Sequence, residues 1–217
     1  MAERLFGTDG LRGPVNIYPM TVDVALRLGL AAGVRFRKGS HQHRVVIGKD
    51  TRLSGYMFES ALTAGLCAAG MHVIMTGPLP TPAISFLTRN MRADLGVVIS
   101  ASHNPYEHNG IKLFSREGFK LSDALEAQIE NLILQPGELP VKSHGDLGQV
   151  TSGAALKEQY LDHLASTVGK LSGLRVLIDC ANGAASTTAR YLFGRFPLEA
   201  EYLNDKPNGV NINNGCG

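Results

Sequence analysis

A serine that follows an apolar run is the residue of this sequence best placed to do chemistry. Residues 95–99 read Leu-Gly-Val-Val-Ile, and residues 100–105 read Ser-Ala-Ser-His-Asn-Pro. A buried strand predicted over 95–99 places Ser102 just beyond the strand's carboxyl end, where ligands bind in open α/β sheets. His103 stands beside it, and Asn104 begins a turn signal. A polar turn with an incidental serine is the alternative for this stretch taken alone.

Several basic residues from other predicted strand ends and loops could act on the same hydroxyl. They are Arg12, Lys49, Arg52, His103 and Lys112. Cations around a serine without an aspartate–histidine pair suit a phosphate better than a protease triad. Ser102 could carry that phosphate, and Lys112 or His103 could act as general acid or base, the lysine if neighbouring cations lower its pKa. A solvated surface charge is the alternative for each basic residue taken singly.

The pattern of elements around these residues favours an α/β fold. Strands are predicted over 44–48, 72–75, 95–99 and 111–114, and helices over 21–36, 58–69, 83–90 and 122–135. This alternation predicts a mixed, largely parallel sheet sandwiched by helices. Asn109 and Gly110 form a turn signal, so the strand over 111–114 is expected to run antiparallel to 95–99. That return would bring Lys112 close to Ser102.

A second, similar α/β unit is predicted after a connecting segment. Residues 136–150 contain prolines and glycines without periodicity, so the predicted division is domain 1–135, connection 136–150 and domain 151–217. Helices over 155–168 and 184–193 and strands over 174–179 and 198–203 belong to the second unit. Two strands are too few for an independent sheet, and residues 208–217 resemble a loop that completes nothing. We therefore expect an incomplete second domain and a chain that is a fragment.

Composition narrows the class of protein and of partner. The 217 residues are 44% hydrophobic and 18% charged, as in ordinary globular proteins, and the net charge of +2 is too small to indicate binding to nucleic acid or to an anionic membrane. Three widely spaced cysteines indicate neither a disulfide framework nor a zinc site. The sequence shows no signal-peptide pattern and no run of membrane-spanning length. A cytoplasmic location is expected.

Five ordered motifs resemble the α-D-phosphohexomutase superfamily. They are residues 6–13 (FGTDGLRG), 50–54 (DTRLS), 100–105 (SASHNP), 109–113 (NGIKL) and 179–183 (DCANG). The first is most similar to bacterial members that act on glucosamine phosphates. The resemblance implies that Ser102 is a phosphoserine, that Arg12, Arg52 and Lys112 assist phosphoryl transfer and that His103 supports the loop. Arg52, Lys49 and Asn104 are expected to bind phosphate.

The resemblance also implies a reaction and a metal. The reaction is reversible conversion of glucosamine 6-phosphate to glucosamine 1-phosphate through glucosamine 1,6-bisphosphate, feeding synthesis of the cell wall precursor UDP-N-acetylglucosamine. One Mg²⁺ would bind the phosphate on Ser102 and the carboxylates of an Asp-x-Asp-x-Asp loop, a spacing that the nine aspartates here do not contain. We therefore expect the fragment alone to be inactive, and leave open whether the protein forms a homodimer. The alternatives are a phosphoglucomutase or phosphomannomutase, and a non-catalytic module that binds a phosphosugar or a partner chain.

Overall fold

The computed structural model describes residues 4–135, 137 and 139–217, which form one six-stranded and one two-stranded sheet with six α-helices. The strands are β1 (Leu11–Pro14), β2 (Arg44–Lys49), β3 (His72–Pro78), β4 (Leu95–Ile99), β5 (His108–Ser115), β6 (Val150–Ser152), β7 (Arg175–Asp179) and β8 (Glu199–Leu203). The helices are α1 (Val22–Phe36), α2 (Ser54–Ala68), α3 (Thr81–Asn90), α4 (Asp123–Leu134), α5 (Leu156–Ser166) and α6 (Ala189–Phe193). None of the described helices is long and apolar enough to span a membrane.

The six-stranded sheet is mixed and largely parallel, as the sequence predicts. Its strand order is β1-β5-β4-β2-β3-β6. Strand β2 runs parallel to β3 and β4, and β3 runs parallel to β6. Strand β5 runs antiparallel to both β4 and β1. The carboxyl ends of β2, β3 and β4 therefore meet at one edge of the sheet, which we call the carboxyl edge.

Helices cover both faces of this sheet, which confirms the predicted sandwich. Val45 and Ile47 of β2 belong to a core with α1, α2 and α4, whereas Val46 belongs to a second core with α3 and Tyr160 of α5. Alternate residues of a strand point to opposite faces, so β2 supplies both cores. Helices α1 and α2 approach closely at Gly29, which has no Cβ. A Cβ at this position would collide with the carbonyl oxygen of Leu62.

The prediction of a turn at Asn109 and Gly110 is wrong, because both residues lie within β5. They pair with Gly13 and Arg12 of β1. A Cβ on Gly110 would collide with the Arg12 side chain and with backbone oxygens, so glycine serves close strand packing at this position and not chain reversal. The chain reverses instead over residues 100–107, between β4 and β5.

The predicted connection over 136–150, where it is described, runs past the C-terminal end of α2. Lys142 N donates to Ala68 O at 2.7 Å, and Gly148 N donates to Cys67 O at 2.9 Å. Val150 then begins β6, the edge strand next to β3. Helix α5 also packs on the first unit, since Tyr160 contacts Phe86 of α3. The division at 135 and 150 remains a prediction, with β6 and α5 placed on the first sheet.

The second sheet contains the parallel pair β7 and β8, close to the strands predicted there. The predicted helix over 184–193 is divided into a 3₁₀ turn, Ala184–Thr187, and the short helix α6. Thr187 explains the division, because its hydroxyl donates to Ala184 O at 2.8 Å and to Pro78 O of the first unit at 2.9 Å. A threonine bonded to backbone in this way competes with a continuous helix.

Candidate active site

Ser102 lies in a loop at the carboxyl edge, as predicted. Residues 100–107 form this loop, called here the serine loop, and the Ser102 side chain is exposed while Ala101 is fully buried beneath it. Ser102 has a φ of 57°, in the left-handed region that non-glycine residues rarely occupy. Its N–H donates to Ser100 Oγ at 3.1 Å. The loop therefore presents the hydroxyl outward from a constrained backbone.

Arg52 holds this loop from below. Its guanidinium is fully buried, with Nε donating to His108 O at 2.8 Å and Nη2 donating to Ser102 O at 3.3 Å and to Asn104 O at 2.5 Å. Nη1 binds the Asp50 carboxylate at 3.0 Å. Burial lowers the pKa of Arg52, and Asp50 opposes that shift. This geometry gives Arg52 a positioning role in place of the predicted contact with phosphate.

The structure also gives Lys49 a different role from the predicted phosphate contact. Lys49 is only 3% exposed, and its ammonium forms a buried ion pair with Glu59 of α2. The same ammonium lies 4.1 Å from the centre of the Tyr56 ring. A buried carboxylate already neutralises the charge, so Lys49 connects β2 to α2 through this ion pair.

Asn104 and His103 follow Ser102 within the serine loop. Asn104 contributes its backbone: its N–H donates to Ala101 O at 3.1 Å, and its carbonyl accepts from Arg52. His103 is exposed beside the serine. Contacts of either side chain with a phosphate, and support of the loop by His103, remain predictions.

Arg12 and Lys112 lie on β1 and β5, the strands that lead to the base of the serine loop. Gly110 pairs with Arg12 across the strands, and its carbonyl accepts from Ser100 N at 2.8 Å. Arg12 also binds Asp9 at 3.3 Å in a cleft of about 430 Å³. Lys112 pairs with Val98 of β4, two residues before Ser100. Both cations therefore lie on strands that adjoin the serine loop.

The environment of Lys112 lowers its pKa. Partial burial lowers the pKa of Lys112, the charges of Arg12 and Lys120 lower it further, and Asp9 opposes them. Near neutral pH, a larger fraction of a lysine with a lowered pKa is deprotonated than of an exposed lysine, so more of it is available to accept a proton. The sequence predicts a tight return at Asn109 and Gly110 that brings Lys112 close to Ser102. The tight return is wrong, because the chain reverses over residues 100–107 instead.

Sequence reasoning missed Asn213. Its amide donates to Ser102 O at 2.9 Å and to Asn104 O at 3.0 Å, so residues 208–217 do not merely trail from the second unit. Leu53 N donates to Gly209 O at 2.9 Å beside it. The signal was present as a run of asparagines and glycines, residues that suit left-handed turns and carry amide donors.

The described residues do not complete a magnesium site at Ser102. The one described group of three potential metal ligands is His41, His43 and Asp94. Asp94 and His43 precede β4 and β2, at the opposite edge of the sheet from Ser102, and Asp94 already accepts from Arg44 N and His41. Imidazoles are not the ligands that Mg²⁺ prefers. The Asp-x-Asp-x-Asp carboxylates implied by the resemblance have no counterpart in the described chain.

Comparison with known proteins decides the family. Residues 3–139 match the family described as phosphoglucomutase/phosphomannomutase, alpha/beta/alpha domain I. The chain belongs to this family. Over its whole length it is 61% identical to the phosphoglucosamine mutase of Desulfovibrio desulfuricans, of which it covers 49%. It thus spans about half the length of the curated relatives it matches.

Solved structures of phosphohexomutases share this fold. A phosphoglucomutase/phosphomannomutase family protein from Burkholderia thailandensis is 27% identical with a TM-score of 0.79, over 95% of this chain and 45% of that protein. The N-acetylphosphoglucosamine mutase of Aspergillus fumigatus, solved with GlcNAc-6P and magnesium, is 19% identical with a TM-score of 0.58. It covers 98% of this chain and 43% of that protein, and at this identity it shows the fold alone.

Proposed function

We propose that this chain works as the N-terminal half of a phosphoglucosamine mutase, with Ser102 as its phosphate carrier. The observation that carries the proposal is the exposed Ser102, fixed in a left-handed conformation at the carboxyl edge by the buried Arg52. Similarity at 61% identity to a phosphoglucosamine mutase supports glucosamine phosphate as the sugar. Coverage of half of that relative supports a site that needs further chain.

The reaction transfers phosphate from Ser102 to the free hydroxyl of the bound sugar phosphate. The P–O bond to Ser102 breaks as a P–O bond to the sugar forms, giving glucosamine 1,6-bisphosphate. Lys112 accepts the proton of the sugar hydroxyl, and the ammonium so formed gives that proton to the serine oxygen as it leaves phosphorus. The other phosphate then moves back to Ser102, leaving the isomeric monophosphate. The Arg12 guanidinium stabilises the negative charge that the phosphoryl group carries during both transfers.

The complete enzyme would use Mg²⁺, in line with the magnesium in the Aspergillus fumigatus structure. In this chain the phosphate on Ser102 would be the ligand for Mg²⁺. The carboxylate ligands would come from the rest of the enzyme. We assign no step to the metal. The same proposal includes a cytoplasmic location and a dimer of two enzyme copies. Light scattering of the full-length protein tests the dimer.

The first test is intact mass of the full-length protein. We expect one phosphate on the parent protein, none on Ser102→Ala, and loss of mutase turnover in that variant. Ser172→Ala, a change at an exposed serine of the second unit, is the matched control and should keep both the phosphate and the mutase turnover. An active or phosphorylated Ser102→Ala variant would contradict the assignment.

A second test separates the sugars. Turnover of glucosamine 6-phosphate, glucose 6-phosphate and mannose 6-phosphate is compared as kcat/KM, and the proposal expects the amino sugar to be preferred. Preference for either neutral sugar would support the phosphoglucomutase or phosphomannomutase alternative.

Among the described residues no carboxylate set lies at Ser102, which favours a second candidate for the 217-residue chain by itself, a binding module without turnover. Binding of glucosamine 6-phosphate without turnover by the short chain supports it. Turnover by the short chain alone would show that its site is sufficient.

A further inference from the structure

Two donors from different units bind the same two carbonyl oxygens of the serine loop. Arg52 Nη2 reaches Ser102 O and Asn104 O from inside the first unit. Asn213 Nδ2 reaches the same two oxygens from the second unit, at 2.9 and 3.0 Å. Both carbonyls therefore accept two hydrogen bonds each, one from a buried cation and one from a side chain of the second unit.

The left-handed conformation of Ser102 explains why such bonds matter. A non-glycine residue at a φ of 57° is strained and keeps that conformation only where its surroundings fix it. Rotation about the N–Cα bond of Ser102, the bond whose torsion is φ, would move the carbonyl away from both donors and swing the Ser102 side chain with it. The orientation of the hydroxyl is thus coupled to the two donors.

Asn213 is held in place without help from its side chain. Its N–H donates to Ala181 O at 2.9 Å, and its own φ of 59° is left-handed. Gly209, four residues earlier, is bonded to Leu53 N of the first unit at 2.9 Å. Loss of the Asn213 amide should therefore leave this backbone where it is.

We propose that Asn213 is a positioning residue for phosphoryl transfer, through which the second unit sets the orientation of the Ser102 hydroxyl and of the phosphate it carries. This inference rests on the proposed function of Ser102. It gives residues 208–217 a part in the chemistry of a loop more than a hundred positions away in the sequence.

The test is Asn213→Gly in the full-length protein. Glycine accepts a left-handed φ without strain, so the change removes the amide and keeps the backbone. Asn204→Gly is the matched control: Asn204 is also left-handed, with a φ of 49°, but its amide binds Asp179. We expect kcat and the single-turnover rate of transfer from Ser102 to fall about tenfold or more in Asn213→Gly, with KM within about twofold. Asn204→Gly should keep the parent kcat.

A second variant tests whether hydrogen-bond donation by the Asn213 side chain is required. Asn213→Asp keeps the shape of the side chain but replaces the amide NH₂ by a carboxylate oxygen. That oxygen cannot donate, and the carbonyl oxygens of Ser102 and Asn104 repel it. This variant should lose at least as much kcat as Asn213→Gly while the melting temperature stays near that of the parent. Parent-like kcat in both variants overturns the proposal, and so does a rise in KM with kcat unchanged.

Hydrogen exchange keeps this inference separable from the proposed function. The Asn104 N–H, bonded to Ala101 O within the loop, should exchange about tenfold faster in Asn213→Gly than in the parent or in Asn204→Gly. If the Asn104 N–H exchanges faster in Asn213→Gly but the parent protein lacks mutase activity, the proposed function of Ser102 is refuted. The coupling of the serine loop to Asn213 is then still supported. Unchanged exchange would refute the coupling itself.

Discussion

The two sheets of this chain differ in how completely they are covered. All five residues of β4 in the first sheet are buried, with helices on both faces. In β7 of the second sheet, exposed and half-buried residues alternate, and Leu177 is 64% exposed. The difference follows from sequence, since β4 is wholly apolar whereas β7 and β8 each carry charged residues.

This difference divides the work at the candidate site. The first sheet supplies a rigid platform with a buried cation beneath the serine loop. The second unit supplies polar contacts along the carboxyl edge, where Thr51 Oγ1 donates to Asn182 O at 2.6 Å and Asn213 binds the serine loop. Stability is therefore expected to depend mainly on the first sheet, and changes in the two regions measure that dependence.

The largest effect is expected for Arg52→Met. The change leaves the Asp50 carboxylate and the carbonyls of the serine loop without their buried donor, so the free energy of unfolding should fall by about 3–5 kcal/mol. Urea unfolding of the chain measures it. Arg195→Met is the control in the outer region, because Arg195 binds the exposed carboxylates of Glu158 and Asp162, and it should cost less than about 1 kcal/mol. Similar losses for both variants would remove the distinction between the regions.

A core substitution should give the next largest contrast. Leu62 of α2 is 1% exposed within the core of the first sheet, and Leu62→Ala should lower the free energy of unfolding by about 2–5 kcal/mol through lost burial and a cavity. Leu177→Ala in β7 should change it by less than about 0.5 kcal/mol. A comparable loss at Leu177 would mean that this strand is covered in solution.

The smallest effect concerns pH. Burial, with help from Arg12, lowers the pKa of Lys112 from the ordinary lysine value of 10.5. Between the lowered pKa and 10.5 the unfolded chain binds more protons than the folded one, so the contribution of Lys112 to stability rises with pH in that window. Below the lowered pKa its destabilising effect is fully present.

An NMR titration of the lysine Cε signals measures this pKa, with Lys112→Met to assign the signal. Because the Asp9 carboxylate raises the pKa of Lys112, Asp9→Asn should lower it further. A rise in Asp9→Asn, or a parent value at or above 10.5, would contradict the described environment.

Much of the scaffold could be predicted because local signals and tertiary packing agree. The apolar run over 95–99 matches β4 at both ends, and Ser122 caps α4 by accepting from Leu125 N, as its position predicts. The Asn109 and Gly110 turn signal failed because pairing with β1 outweighed local preference. Type and spacing of residues could find the serine loop, since the motif is contiguous in sequence.

The partners of individual side chains could not be predicted in the same way. Lys49 ends β2 and Arg52 follows it, so the sequence treats them alike. Their contacts differ because Lys49 pairs with the buried Glu59, whereas Arg52 donates to carbonyls of the serine loop. Asn213 lies more than a hundred residues from Ser102, and only the arrangement of the two units brings them together. Such contacts depend on tertiary structure that no local pattern encodes.

The short second sheet has one more consequence, which concerns the handling of this chain in solution. Among the described residues β7 and β8 pair only with each other, so each leaves one row of backbone donors and acceptors open to another strand. Open edges flanked by exposed apolar residues such as Leu177 and Leu203 are templates for strand addition between molecules. We therefore expect self-association of the 217-residue chain at high concentration to begin at this sheet, and not at the covered sheet that carries Ser102.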